Sequence, residues 1–237
     1  SAGDHVYADA STAAFDIAPT SSAYYSSFRI VVSQVGNDNA NQNGGQDTLM
    51  LGEVNFVGHM AAPTASPSQA PSTLSPTEPA LVHPAIVSYP PGGMTSNSMV
   101  IPSVYGSGVY EVGASSEATG QLAYKGFDND ASTYWQSSST YDVNSGTYTG
   151  SSSVSMNDGS SVVQISGEFV TMDMPIAIQL TRVELTPRAG SSDYYTHNMP
   201  SEFWVLGSND DVNWYELHHV SAGDHVYADA STAAFDI

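Results

Sequence analysis

The feature that most constrains this chain is a repetition. Residues 1–17, SAGDHVYADASTAAFDI, recur letter for letter as residues 221–237. The 237 residues are therefore one period of 220 with a 17-residue overlap. A fixed long period is the signature of tandem architectures, whose units are stabilised partly by their neighbours. We expect a head-to-tail array of near-identical periods, with the chain owning parts of two successive folding units.

Charge narrows the partners. Four Lys and Arg stand against 24 Asp and Glu, a formal net charge of −20. Affinity for phosphate comes from clustered cations, so nucleic acid is excluded as a partner. An anionic membrane surface is disfavoured for the same reason. Such a chain suits a cation-rich medium, where salt screens its self-repulsion. There is no cysteine, so no disulfide framework and no thiolate metal site. No apolar run approaches the ~20 residues that span a bilayer.

The pattern is that of short strands between turn clusters. FRIVVSQV (28–35) is apolar and β-branched, and TLMLGEVNFVGHM (48–60) follows a polar loop, with Gly52 placed for a bulge. VVQISGEFVTMDM (162–174) and IAIQLTRVELTPR (176–188) alternate, with Pro175 between them. FWVLGS (203–208) and NWYELHHV (213–220) flank the turn NDDV. No helical period is sustained. Regularly spaced short strands indicate an all-β chain, a jelly-roll β-sandwich.

Residues 61–98 differ in kind. Eight of the 13 prolines lie in 61–92. That density forbids a helix or a central strand and favours extended polyproline II. One reading is a semi-rigid, Pro-rich linker between domains. The other is a glycosylated stalk, since Ser, Thr and Ala beside Pro suit O-glycosylation. Candidate positions are Pro63, Thr64, Ser66, Pro67, Pro71, Ser72, Thr73, Ser75, Pro76 and Thr77. No N-x-Ser/Thr sequon occurs.

Three segments together resemble one family. LAYKGFDNDASTYWQSS (122–138) is similar to the opening motif of discoidin-like domains, also called F5/8 type C or galactose-binding-like. PSEFWVLGSNDDVNWYELHHV (200–220) resembles its second signature, and YYSSFRIVVSQV followed by LMLGEVNFVGH (24–59) resembles its final strands. The resemblance implies a jelly roll, but here the last element comes first. Joining residue 237 to residue 18 of another copy restores the family order. The resulting division is 1–60, the C-terminal strands of one domain; 61–98, the linker; and 99–237, the N-terminal part of the next. Strands 18–60 are expected to come from a neighbouring period, although closure within one chain is also within reach.

The resemblance also implies a structural calcium site. Lys125 (through its carbonyl), Asp128, Asp130 and Thr133 lie in the turn before Trp135, and Glu53 matches the glutamate of the last strand. Hard oxygen ligands are what Ca²⁺ takes. Asn129 stands where the family usually has Gly. The competing reading is a capped surface turn. A second candidate is the loop 188–200, where Tyr194, Tyr195 and His197 cluster and resemble the glycan-binding loops of the family; otherwise it is an ordinary loop. Trp135, Trp204 and Trp214 read as core. No HExxH, GxSxG or P-loop occurs, and no carboxylate pair stands out as an acid/base couple.

Three functions remain. The first is a non-enzymatic structural repeat unit of an extracellular fibre, filament or cell- or virion-surface coat, assembled head to tail as a homopolymer and glycosylated on its linker. The second is a multivalent carbohydrate-binding adhesion module. The third is an ancillary module of a large secreted enzyme.

Overall fold

The computed structural model describes residues 23–36, 47–61, 85–138, 140–190, 196–227, 229 and 231–237. Among these described residues thirteen strands run in chain order: β1 (Tyr25–Val35), β2 (Met50–Leu51), β3 (Glu53–Met60), β4 (Ile86–Tyr89), β5 (Ser98–Ile101), β6 (Gly108–Ala114) and β7 (Trp135–Gln136). They continue with β8 (Ser153–Asn157), β9 (Val162–Ser166), β10 (Glu168–Thr186), β11 (Pro200–Ser208), β12 (Trp214–Val220) and β13 (Ala233–Asp236). A 3₁₀ turn, Ala123–Gly126, lies between β6 and β7. Among the described residues no helix is long and apolar enough to cross a membrane.

The 19-residue β10 organises the fold. Its first half pairs with β1 on one edge and β6 on the other. Its second half pairs with β3 and β13. From the sequence, Pro175 reads as a break between two strands; instead β10 passes through it. Proline lacks an N–H and is tolerated where no ladder bond is needed. Pro175 sits in the stretch between Asp173 and Ile178 where β10 exchanges one set of partners for the other. The break falls earlier, at Gly167, where a Cβ would meet Val32 O at 2.3 Å.

Two layers result, a β-sandwich of the jelly-roll class. Both layers belong to one eleven-stranded sheet that runs β4–β3–β10–β1–β11–β12–β8–β9, with β13 and the β6–β5 pair also on β10, while β2 pairs with β7 apart from it. Their inner faces meet in aromatic contacts. Phe28 of β1 stacks on Phe56 of β3 at 5.3 Å, and Phe203 of β11 meets Phe235 of β13 edge-on at 5.0 Å. Such pairs add about 1 kcal/mol beyond their area.

β1 is buried on both faces. Phe28, Ile30 and Val32 face the main core, and Val31 joins a smaller cluster with Val154, Met156, Ile165, Leu206 and Trp214. The hairpin β8–β9 gives that second cluster Val154, Met156 and Ile165. Arg29 lies between the rings of Phe169 and Trp214, 4.3 and 4.0 Å from their centroids, and donates through Nε to Thr171 Oγ1 at 2.8 Å. Trp135 and Trp214 are buried as expected, whereas Trp204 is half-buried and stacks on His219 at 4.2 Å.

In this chain the sandwich takes β1–β3 and β4–β13 from one polypeptide. The Pro-rich linker, read from sequence as reaching residue 98, ends sooner. Residues 86–89 form β4 on β3, and Tyr89 and Met94 are fully buried. Spacing of prolines gave no sign that Ile86, Val87 and Tyr89 would find a strand to pair with.

Candidate functional site

The turn 125–133 is wound by its own side chains. Asp128 Oδ1 accepts from the Asp130 amide at 3.0 Å, an Asx turn. Asn129 adopts φ 61°, the left-handed conformation that Asn tolerates and bulkier residues avoid. Asp130 Oδ1 takes the Ser132 amide and hydroxyl at 3.0 and 2.6 Å. Those two bonds hold its exposed carboxyl below the usual range. The Asp130 carbonyl accepts from the Thr133 amide at 2.8 Å.

Thr133 is the hub of the inner side. Its Oγ1 lies 2.5 Å from Asp128 Oδ2, 3.2 Å from Asp130 O and 3.5 Å from Lys125 O. The Lys125 ammonium is engaged elsewhere, donating to Gly120 O at 2.7 Å. Gly93 closes one wall, since a Cβ there would meet Asp128 O at 2.2 Å.

Glu53 enters from β3. It is 7% exposed, and its Oε1 accepts from the Asp130 amide at 2.6 Å. Its Oε2 is buried with no donor. What it meets is the Asp128 carboxylate, another acceptor. Burial first, then Asp128, pushes the Glu53 carboxyl up to about 8. A buried carboxylate without donors is costly. The pocket is relieved either by a proton on Glu53 or by a cation between the two acids.

All five residues singled out from the sequence thus converge, in unequal roles. Glu53 and Asp128 bring carboxylates, Thr133 a hydroxyl, Lys125 and Asp130 carbonyls. Among the described residues no three His, Asp or Glu side chains gather as a metal cluster. A cation here would draw on two carboxylates plus neutral oxygens. That donor set is hard and all-oxygen, and the orphaned Oε2 supplies the unmet acceptor; the residues fit Ca²⁺.

Sequence reasoning missed a second buried acid. Glu168 is 1% exposed and opens β10. Its Oε2 accepts from the hydroxyls of Ser115 and Ser116, the latter at 2.7 Å, and its Oε1 accepts from Thr140 at 2.8 Å. Nothing local in SGEFV marks it, because its donors lie about 50 residues before it and 28 before it.

Of the loop 188–200, Tyr194 and Tyr195 lie outside the described residues. His197 is half-buried and its Nδ1 is 3.1 Å from Thr196 Oγ1. A cavity of about 500 Å³ is lined by Gln34, Thr196, Met199, His225 and Tyr227 among others, and His197 is not part of its wall. The glycosylation candidates Pro63 to Thr77 also lie outside the described residues. No family model, curated protein or solved structure matches this chain.

Proposed function

We propose that the chain is a non-enzymatic structural repeat unit of an extracellular fibre, filament or surface coat, joined head to tail to identical units. The observation that carries this reading is the 17-residue identity. One copy, 221–237, is an integral part of the sandwich, with Tyr227 and Phe235 in the core and β13 on β10. A segment that completes a core is repeated intact only where the core is repeated. The acidic composition, nearly without Lys and Arg, supports a secreted setting rich in cations. The discoidin-like resemblance supports a bead-like sandwich, and the turn at Glu53 supports a structural Ca²⁺ held in each bead. The Pro-rich segment serves as a spacer, glycosylated between Pro63 and Thr77.

Electron microscopy of the native assembly tests this. Regular filaments with one bead per 220-residue period are the expected result. Mass spectrometry of the same material is expected to find glycan mass on 61–84. Flexible strings, or unconnected single beads, overturn the fibre.

A second reading has one observation in its favour. The cavity of about 500 Å³ beside Thr196, with the His225 imidazole and polar groups such as Gln34 and Ser201 in its wall, is of a size for a small polar ligand. A carbohydrate-binding adhesion module would gain avidity from repetition. Specific hits on a glycan array, lost in His225→Ala, favour it over the fibre.

A further inference from the structure

Strands β13 and β1 lie end to end along one edge of β10. At Ile178, Tyr25 of β1 and Met60 of β3 flank β10 from opposite sides. β3 continues on its side past Arg182–Leu185, and β13 pairs with those four residues from the other. β13 and β1 therefore share an edge, and both run antiparallel to β10. Ala233 to Asp236 lies against Leu185 to Arg182, and Ile237 N donates to Thr181 O at 2.9 Å. Tyr25 takes up the same line at Ile178. The step from Thr181 to Ile178 is roughly 10 Å at ~3.4 Å per residue.

In the repeat, the 17-residue segment is followed by residues 18–24 and then by β1. Those seven residues reach about 25 Å when extended. A chain passing from residue 237 into residues 18–35 fits along β10 with both strands in place.

The other connection is of the opposite kind. His59 pairs with Ile86, so the end of β3 and the start of β4 are neighbours in one ladder, about 5 Å apart. Twenty-five residues, 61–85, join them, and six are proline. A Pro-rich chain prefers extension at ~3.1 Å per residue, about 75 Å over this length. Turning it back between adjacent strands forfeits that preference and adds loop-closure entropy. Used as a spacer it loses neither.

Resting on the repeat-unit reading, we propose that the surface joining units is the β1–β3 slot of the sandwich. The strands 25–60 seated in each sandwich are those of the following unit, entering along β10 from residue 237. Residues 61–85 then leave as the spacer to the next sandwich. The partner is a second copy of this chain, and what it inserts is core. Phe28, Ile30 and Val32 of β1 and Val54 and Phe56 of β3 are fully buried, which makes the joint permanent. One 17-residue segment then serves both as β13 of one unit and as the lead-in to β1 of the next. In the single chain two identical segments compete for Thr181–Leu185; in the array each slot has one.

The test is a two-unit chain, residues 1–237 continued by residues 18–237 of a second unit. The protein has no cysteine, so introduced thiols report alone. Ser33 Oγ donates to Glu202 Oε2 at 2.7 Å, placing β1 and β11 within reach of a short bismaleimide. In the first placement Glu202→Cys is in the first unit and Ser33→Cys in the second. In the other placement both changes are in the first unit. Bridging within the chain is expected to be at least about five-fold greater in the first placement, at a dilution where single-cysteine chains do not dimerise. Equal or greater bridging in the other placement, or none in the first, overturns the proposal. Circular dichroism and melting of both unbridged chains verify that each is folded. The repeat-unit reading fails by a different result, native material that forms no filaments, which leaves the bridging pattern untouched.

Discussion

Two buried glutamates stand at the starts of two strands, and they are opposites. Glu168 is wrapped by hydroxyls of Ser115, Ser116 and Thr140, all of them donors. Glu53 has only the backbone amides of the Asn129–Asp130 turn for donors and otherwise faces Asp128, an acceptor like itself. Burial is similar in both. What separates them is the balance of donors and acceptors around the carboxylate. With donors in surplus, the acid is a clasp that fixes loops. With acceptors in surplus, it is an unfilled demand for a proton or a cation.

The largest effect should come from breaking the clasp. Glu168→Ala strands three hydroxyls and opens a cavity, and should cost about 4 kcal/mol in urea denaturation. A cost under about 1 kcal/mol would mean that the hydroxyls do not depend on it. Calcium removal comes next. With the ion at about 100 times its dissociation constant, chelation should remove about 2.7 kcal/mol and lower Tm by roughly 5–10 °C. The same shift should persist in any Glu168 variant that folds, because three hydroxyl donors already satisfy that carboxylate. An unchanged melt in chelator sinks the calcium site.

Glu53→Gln separates the two acids further. It should abolish the calcium-dependent shift yet leave the chelated protein as stable as the parent, or more so, at pH 8. Titration gives the same contrast with the sign reversed from a normal ion-paired acid. The Glu53 carboxyl sits at about 8 in the fold against an ordinary 4.5. The folded state therefore holds this proton more tightly than the unfolded state. Without calcium, the group's contribution is fully present below about pH 4.5 and is lost as pH rises through about 8. Tm in chelator should fall across that window, and calcium or Glu53→Gln should flatten the fall. The smallest effect is at Asn129. Replacement by Ala at φ 61° should destabilise by about 1 kcal/mol and weaken calcium affinity modestly. A neutral result would show that the turn relaxes freely.

Much of the fold was legible because its signals are local. The apolar, β-branched run 28–35, the alternation in 162–174 and 176–188 and the turn NDDV between 203–208 and 213–220 marked strands, and the acidic turn before Trp135 showed itself by its Asx and Thr residues. Glu53 was found only through a resemblance, since nothing between residues 53 and 128 announces that they meet. Glu168 was invisible because its donors come from loops remote in sequence. The linker was drawn too long because proline spacing reports on the backbone and not on whether Tyr89 and Met94 have a core to enter.

Composition and patterning by themselves determined an all-β chain, strongly acidic and free of thiols, with one 17-residue segment repeated at a spacing of 220. Those properties are carried by neighbouring residues and survive any arrangement of the strands. Only the tertiary structure decided that β1 lies between β10 and β11, that Glu53 faces Asp128, and that β13 points at the start of β1. Each of these depends on which strands share an edge. That choice is made by the burial of side chains far apart in the chain, and no local pattern encodes it.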